Sequence, residues 1–313
     1  MQLRIVHTDT IAERTRLVRF EAIARAPLPA FAPGAHVEVT LETPSGTLVR
    51  QYSLVSSPDD PAGYEIAVLH TEASRGGSRF LHESVRVGDA LEVSAPRGSF
   101  RLAPLAERHT LIAGGIGITP IRAFAAELRA RGQDYRLLYA ARSSGRMAFA
   151  RELEDAHGAR ASFHVDRDGS PSLDLPQALG APAEGHHAYV CGPRAMIEAT
   201  RRAAEALGWR DDHVHVESFG APTGRPSTPV TLRLAQSDLT LDVPAGASLL
   251  DAMEAAGAWV ASECRRGECG KCTVGYTEGE VEHLDVCLTE EARRTQLCPC
   301  VSRARSSVLV LDA

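Results

Sequence analysis

Residues 264–272, CRRGECGKC, place three cysteines within nine positions, and this run decides how the C-terminal part of the chain folds. The spacing is C-x4-C-x2-C, and Cys300 follows after a further 27 residues. Three thiols can converge on one centre only if the loop between them turns tightly. Gly267 and Gly270 supply the backbone freedom that such turns need. The run therefore predicts a metal-binding loop that a distant thiol completes.

The spacing of these cysteines distinguishes between kinds of metal site. C-x4-C-x2-C with a distant fourth cysteine is the plant-type spacing for a [2Fe–2S] cluster. A structural zinc ion is the alternative, but zinc sites more often show paired C-x2-C units or partnered histidines, and only His283 lies nearby. We expect the cluster, with either Cys298 or Cys300 as its fourth ligand. Cys287 is expected to be a small buried side chain.

The composition is that of a multi-domain globular protein. A chain of 313 residues predicts two or three domains, and 44% hydrophobic with 24% charged residues excludes a disordered chain. The net charge of −6 disfavours a general nucleic-acid-binding role. No apolar run approaches the ~20 residues that span a bilayer, so no membrane partner is expected. The N-terminus, MQLRIVHTDT, lacks a basic segment followed by an apolar one, which predicts a cytoplasmic protein.

Hydrophobic patterning divides the chain into three domains and a linker. Residues 1–103 show short alternating runs, such as 36–42, between turn signals and without a convincing helix, which indicates a β-barrel or a sandwich. In residues 104–219 strands and helices alternate, which is typical of an α/β parallel sheet. Residues 220–229, GAPTGRPSTP, have the composition of a linker. Residues 230–313 combine a predicted hairpin and helix with the cysteine loop.

Two loops of the second domain carry nucleotide-binding signals. Residues 113–120, AGGIGITP, follow a predicted strand and open a helix, where glycines let a pyrophosphate approach and helix N–H groups favour an anion. The pattern differs from G-x-G-x-x-G, so close packing is an alternative reason for these glycines. Residues 190–193, VCGP, end another predicted strand, at the edge where open α/β sheets bind ligands. The predicted nucleotide-binding residues are Gly114, Gly115, Gly117, Thr119, Pro120, Cys191, Gly192 and Pro193.

A flavin-binding signal lies in the first domain, at residues 50–53, RQYS. The Arg50 guanidinium suits a phosphate, the Tyr52 ring can stack on an isoalloxazine, and the Ser53 hydroxyl can reach its reactive nitrogen edge. Strand alternation puts Arg50 and Tyr52 on one face and Ser53 on the other. The segment SRGGS at 74–78 offers backbone N–H groups and a hydroxyl that could cradle the flavin phosphate. The predicted contacts there are Gly76, Gly77 and Ser78.

Together these motifs resemble the ferredoxin–NADP reductase superfamily, since R-x-Y-S is similar to its flavin motif and VCGP to a turn of its nucleotide domain. The resemblance implies that Cys191 lies near the nicotinamide, so that Cys191 and Ser53 are the expected catalytic residues. It also implies that Phe219 approaches the flavin and that Arg142 lies beside the adenosine ribose. The segment from Arg142 onward is more similar to the NADH-dependent branch, so NADH is expected rather than NADPH. SRGGS is similar to its counterpart in FMN-binding members, so FMN is expected rather than FAD.

The order of the domains narrows the resemblance further. A flavin barrel, a nucleotide domain and a C-terminal domain similar to a plant-type ferredoxin of β-grasp fold cover essentially the whole chain, as in the phthalate dioxygenase reductase and vanillate O-demethylase reductase family. Residues 299–304, PCVSRA, resemble the end of the ferredoxin motif, which favours Cys300 over Cys298. The implied cluster ligands are Cys264, Cys269, Cys272 and Cys300.

This family resemblance implies a function for the whole chain. Electrons would pass from NADH to FMN, then to the cluster, and finally to a separate Rieske-type oxygenase or demethylase. A cytochrome P450 or another acceptor stays open as an alternative partner. A non-enzymatic electron carrier or sensor stays open as an alternative class, although the presence of both the flavin motif and the VCGP turn disfavours it.

Overall fold

The chain forms two compact units, Met1–Glu217 and Ser218–Ala313. This computed structural model describes residues 1–24, 27–71, 76–98, 100–166, 173–219 and 228–313. The division falls just before the predicted linker, of which residues 220–227 lie outside the described residues. No helix in these ranges is long and apolar enough to cross a bilayer.

The first unit begins with a six-stranded antiparallel barrel, ordered β4-β3-β6-β1-β2-β5. Its strands are β1 (Gln2–Ala12), β2 (Thr15–Ala22), β3 (His36–Thr43), β4 (Gly46–Ser53), β5 (Gly63–Leu69) and β6 (Ala90–Val93). An antiparallel bridge between Leu54, which follows β4, and Ile66 of β5 joins the two edge strands and closes the sheet. Alternate side chains of β3, Val37, Val39 and Leu41, are fully buried in its interior.

The barrel also contains a helix, α1 (Gly77–Glu83), which the sequence did not predict. Its seven residues are too few to show a helical hydrophobic period. Arg16 of β2 holds it from outside by donating hydrogen bonds to the carbonyl oxygens of Leu81 (2.7 Å) and His82 (3.0 Å). Such carbonyls at a helix end have no partner within the helix. The expectation that residues 1–103 lack a helix was therefore wrong, because α1 is stabilised by a contact with Arg16, which is distant in the chain.

The second sheet of the first unit is fully parallel and is ordered β11-β10-β7-β8-β9. Its strands are β7 (Arg108–Gly114), β8 (Asp134–Ala141), β9 (Ala161–Val165), β10 (His186–Cys191) and β11 (Val214–Glu217). The helices are α2 (Ile118–Ala130), α3 (Ala150–His157), α4 (Leu175–Leu179) and α5 (Arg194–Ala206), with 3₁₀ turns at Gly115–Gly117, Ser144–Arg146, Gly158–Arg160 and Asp211–His213. Because β7 and β10 are neighbours, the loops that follow them meet at one edge of the sheet.

The barrel packs against this sheet through aromatic side chains and polar contacts. Phe100 lies 5.0 Å from Phe124 of α2 and 6.3 Å from Tyr189 of β10, measured between ring centroids. The Tyr189 hydroxyl accepts a hydrogen bond from the backbone N–H of Ala103 at 2.9 Å. Phe100, in the segment after the barrel strands, belongs to the core of the parallel sheet, whereas the barrel strands surround a core of their own. Contacts of this segment thus connect the barrel to the nucleotide-binding sheet.

The second unit is a mixed five-stranded sheet, ordered β13-β12-β18-β14-β16, with one helix. Its elements are β12 (Val230–Leu234), β13 (Leu239–Val243), α6 (Leu249–Ala255), β14 (Val274–Glu278), β15 (Val281–Glu282), a 3₁₀ turn at Ala292–Arg294, β16 (Gln296–Leu297), β17 (Arg303–Ala304) and β18 (Val308–Asp312). The β12–β13 hairpin is antiparallel, whereas β12 and β18 are parallel, which is the β-grasp arrangement. Ser248 starts α6 by accepting a hydrogen bond from the Asp251 N–H at 3.0 Å.

Candidate functional sites

The predicted flavin motif lies at the end of β4. Arg50 and Tyr52 are half-buried on one side of the strand, and Ser53 is 5% exposed, as the alternation predicted. The Ser53 hydroxyl has no hydrogen-bond partner within the described residues. A buried hydroxyl without a partner costs about 1–3 kcal/mol, which a bound ligand can remove by supplying one. Burial raises the pKa of Tyr52, so its ring stays neutral over the working pH range. These side chains fit a flavin.

The predicted phosphate segment meets this motif in space. A Cβ added at Gly77 would lie 2.6 Å from Cγ and 2.9 Å from Nε of Arg50, so the Arg50 side chain packs directly against this glycine and would have to shift to admit a larger residue. Gly76 has a φ of +91°, and a Cβ there would lie 2.9 Å from the side chain of Leu48. Ser78 is half-buried in the first turn of α1. The structure thus brings Arg50 together with residues 76–78, whereas Ser74 and Arg75 of the same segment lie outside the described residues.

The two nucleotide loops are in direct contact, and glycines allow it. A Cβ at Gly117 would lie 2.1 Å from the carbonyl oxygen of Cys191, and one at Gly114 would lie 2.6 Å from Cδ of Pro193. A Cβ at Gly192 would in turn lie 3.0 Å from Cα of Gly114. Close packing, which the sequence left open, therefore explains Gly114 and Gly117. Its effect is to join the glycine loop and the VCGP turn into one surface.

Gly115 differs from these glycines because no other atom lies close to the position that a side chain would occupy. Its φ is +55°, and a Cβ there would meet nothing within 4 Å, so a ligand can approach the backbone. Thr119 is 2% exposed and donates a hydrogen bond from Oγ1 to the Ile116 carbonyl at 3.0 Å, which holds the turn. Pro120 is buried in the first turn of α2. The open position beside a helix start suits a pyrophosphate.

Three further predicted residues lie in contrasting environments. Cys191 is fully buried in the core. In this conformation a ligand can reach the VCGP turn only at Gly192, which is half-buried, and Pro193, which is exposed. Arg142 directly follows β8, is exposed, and has no ion pair within the described residues. Phe219 is 38% exposed and falls at the start of the second unit, so its approach to the flavin stays a prediction.

The cysteine loop concentrates thiols and N–H donors. The Cys264 thiol accepts hydrogen bonds at 3.4 Å from the backbone N–H groups of Arg266, Glu268 and Cys269. The contact between the two thiols lowers the pKa of Cys264 and raises that of Cys269, so it does not favour both thiolates. The three N–H groups, in contrast, stabilise negative charge on Cys264, and the thiolate is the form that binds iron. This side of the loop therefore fits a negatively charged cluster.

The contacts of the last two cysteines separate the candidates for the fourth ligand. The Sγ atoms of Cys272 and Cys300 are 3.3 Å apart, and Cys300 is half-buried. Cys298 is fully buried, and its Sγ lies 3.5 Å from Sγ of Cys287 and 3.6 Å from Oγ1 of Thr273. Cys298 also interacts with Cys272, so both cysteines lie beside a predicted ligand. Cys300 additionally interacts with Cys264 of the loop and is the less buried of the two, so it stays the predicted fourth ligand.

Sequence reasoning missed a buried ion pair beside the cluster loop. Asp285 is 0% exposed, and Arg293 donates hydrogen bonds to its carboxylate (3.3 Å) and to its backbone carbonyl (2.7 Å). Burial opposes the charge of Asp285, but His283 and Arg293 outweigh it and lower the pKa of the carboxyl. A Cβ at Gly267 would lie 2.8 Å from Cα of Asp285, so the pair supports the turn of the loop. A single aspartate in a loop gives no sequence signal for this role.

Family models match three consecutive parts of the chain. An oxidoreductase FAD-binding domain matches residues 2–102, and a 2Fe-2S iron-sulfur cluster binding domain matches residues 232–305. A third model, which describes the N-terminal domain of DmmA-like dimethylamine monooxygenase subunits, matches residues 92–214. These matches follow the order of the barrel, the parallel sheet and the β-grasp unit.

Full-length relatives agree with this order. The chain is 36% identical to phthalate dioxygenase reductase of Burkholderia cepacia, with 100% of this chain and 97% of that protein covered. It is 42% identical to vanillate O-demethylase oxidoreductase of Pseudomonas sp., with 91% of each chain covered. The chain belongs to the phthalate dioxygenase reductase family. This family member is also 42% identical to the heme-dependent oxidative N-demethylase beta subunit of Ectopseudomonas mendocina, with 98% of each chain covered.

Solved structures that are similar to this chain share its fold. The crystal structure of phthalate dioxygenase reductase superposes with a TM-score of 0.71 at 36% identity, covering 100% of this chain and 98% of that one. Full-length CYP116B46 from Tepidiphilus thermophilus gives a TM-score of 0.77 at 37% identity, and this chain spans 42% of its length. The predicted family and the predicted three-part fold class are thereby confirmed, and the chain is a flavin and iron–sulfur oxidoreductase.

Proposed function

We propose that this chain is the cytoplasmic, NADH-dependent reductase component of an oxygenase system, with FMN and a [2Fe–2S] cluster as its cofactors. One observation carries the proposal: in each predicted site, sequence-distant motifs come together. Arg50 lies against Gly77, Gly117 lies against Cys191, and Cys272 lies against Cys300. An electron carrier without enzymatic activity would need only the last of these sites.

Each flavin contact has a distinct proposed role. Arg50, with the backbone of Gly76 and Gly77 and the hydroxyl of Ser78, would hold the single terminal phosphate of FMN. Tyr52 would stack on the ring, and Ser53 would donate its hydrogen bond to the nitrogen edge. When bound, the flavin would accept a hydride from NADH, and the cluster would carry single electrons onward.

The nucleotide residues position NADH against this strand. Gly115 would admit the pyrophosphate, with Gly114, Gly117, Thr119 and Pro120 shaping the loop around it. The Cys191-Gly192-Pro193 turn would receive the nicotinamide, and Arg142 would lie beside the ribose.

Arg122 of α2 holds these two regions together. It donates a hydrogen bond to the Val55 carbonyl, two residues after Ser53, at 2.5 Å and pairs with Glu152 at 2.7 Å. This contact fixes the helix behind the glycine loop relative to the flavin strand.

In the second unit the proposed cluster ligands are Cys264, Cys269, Cys272 and Cys300. The three N–H groups directed at Cys264 would stabilise negative charge there, and the Asp285–Arg293 pair would keep the loop in shape. Phe219 is proposed as a further flavin contact.

The proposed electron acceptor is a separate Rieske-type oxygenase or demethylase, as the domain order predicts. A haem-dependent N-demethylase is a second candidate. Two observations favour it: the match of residues 92–214 to the dimethylamine monooxygenase subunit model, and the relative whose name states a heme-dependent oxidative N-demethylase.

Anaerobic titration with NADH tests the proposal. The purified protein should show flavin absorption over a broad iron–sulfur background, and both should bleach with NADH and much less with NADPH. Heat-released flavin should co-elute with FMN in chromatography rather than with FAD. A colourless, zinc-containing protein, or one that NADH does not bleach, would overturn the proposal. Reconstitution with a Rieske oxygenase and with a haem N-demethylase would then decide between the two acceptors.

A further inference from the structure

Three histidines lie together on one face of the parallel sheet, away from the proposed cofactor contacts. His187 is on β10, His215 is on β11, and His213 ends the 3₁₀ turn that precedes β11. The parallel register pairs Tyr189 with His215, which places His187 beside His213 and His215. All three histidines are half-buried at the edge of the sheet, where solvent ions can reach them.

The distances between these imidazoles are short. Nδ1 of His187 and Nε2 of His215 are 2.9 Å apart and share one hydrogen. The ring of His213 stacks on that of His187, with centroids 4.2 Å apart and planes inclined by 24°. The ring of Tyr189 stacks on the other side of the group, 4.7 Å from His215. The hydrogen bond holds the rings of His187 and His215 in one relative orientation, whereas the ring of His213 lies face to face with that of His187 and must rotate to direct a nitrogen to the same point.

Neutral imidazoles are ligands for transition metals. Burial, together with neighbouring histidines, lowers the pKa of His187 and lowers that of His215 to about 4, so both are neutral at pH 7. Metal–nitrogen bonds are about 2.0–2.1 Å long. Two nitrogens 2.9 Å apart therefore subtend an angle of about 90° at a metal, as neighbouring ligands do in square-planar or octahedral coordination.

We propose that His187 and His215 form a binding site for a divalent first-row transition-metal ion, with His213 as a third ligand after rotation of its side chain. The ion replaces the hydrogen that the two rings share, the ring that carried it takes the tautomer with its proton on the other nitrogen, and water fills the remaining positions of the ion. The ion links β10 to β11. These strands end at Cys191 and Glu217, which are paired at the carboxyl edge of the sheet. This site is independent of the proposed flavin, nucleotide and cluster contacts.

Calorimetric titration of the holoenzyme with NiCl₂ tests the site. We expect one saturable site per chain, with no change in flavin or cluster absorption, which separates it from binding at the cysteines. His187→Asn and His215→Asn should each weaken the affinity at least tenfold, whereas His7→Asn, on the exposed surface of β1, should leave it unchanged.

A second measurement covers variants that fold poorly. Ni²⁺ should raise the thermal midpoint of the unsubstituted protein, and His213→Asn, at the end of a 3₁₀ turn, should reduce that rise. Absence of a saturable site, or equal Ni²⁺ affinity in the His187, His215 and His7 variants, would overturn the proposal.

Discussion

Gly117→Ala should force the two nucleotide loops apart while leaving the side chains that are proposed to contact the cofactors unchanged. Gly117 has a φ of −60°, which alanine adopts freely, so the substitution introduces no backbone strain. Its Cβ would lie 2.1 Å from the Cys191 carbonyl oxygen and 2.8 Å from the Gly192 nitrogen. Both are backbone atoms, and Cys191 ends a strand that is paired on both sides, so its carbonyl cannot rotate away.

The size of the effect follows from the contact distance. A carbon and an oxygen normally approach to about 3.3 Å, so the loops must separate by about 1.2 Å from their 2.1 Å position. A misplacement of about 1 Å can reduce the rate of a positioned reaction by roughly 10²-fold. We expect anaerobic stopped-flow measurements to show flavin reduction by NADH slowed by about that factor. Flavin content and dithionite reduction of the cluster should stay unchanged.

Gly132→Ala is the matched control. This glycine follows α2, has a φ of +65°, and its Cβ would meet nothing within 4 Å. The control should lose about 1 kcal/mol of stability from its positive φ but keep the rate of flavin reduction. A Gly117→Ala rate within threefold of the unsubstituted protein would refute the idea that contact between the loops positions NADH.

Three further predictions concern stability and cofactor retention. His109 and His186 are 1% exposed, and burial lowers each pKa to about 4, so the free energy of unfolding should fall as the pH drops below about 6.5. The loss should reach about 2 kcal/mol per histidine at pH 5, measured by urea denaturation with flavin fluorescence. Arg50→Gln should weaken FMN binding at least tenfold in a fluorescence titration, because a charge-assisted phosphate contact is lost. Cys300→Ser should lose its iron and the cluster absorption, whereas Cys298→Ser should keep both.

Exposed residues provide the controls for two of these predictions. His7→Gln should leave the pH dependence unchanged, and Arg4→Gln should leave FMN affinity unchanged, since both side chains lie on the outer surface of β1. Stability that stays flat between pH 7.5 and pH 5 would contradict the burial argument. Equal iron content in the two cysteine variants would contradict the choice of Cys300.

Regular elements with a clear hydrophobic pattern could be predicted closely from the sequence. The hairpin predicted in residues 230–313 is present as Val230–Leu234 and Leu239–Val243, because each strand is a short run that alternates and ends at a turn signal. The helix that the glycine loop was predicted to open begins at Ile118, since the 3₁₀ turn Gly115–Gly117 leads directly into it. α1 escaped prediction because its stability depends on Arg16, about 60 positions earlier in the chain.

The sequence by itself determined the kinds of chemistry that this chain offers. The cysteine spacing, the R-x-Y-S motif and the glycine and VCGP loops are short sequence motifs. Each predicts a kind of site from residues that lie close together in the chain. Only the tertiary structure showed that the Sγ atoms of Cys272 and Cys300 lie 3.3 Å apart, and that Gly117 is required by the Cys191 carbonyl. It also brought His187 within 2.9 Å of His215. Such contacts join residues that are distant in the chain, and they arise only when the strands and helices pack.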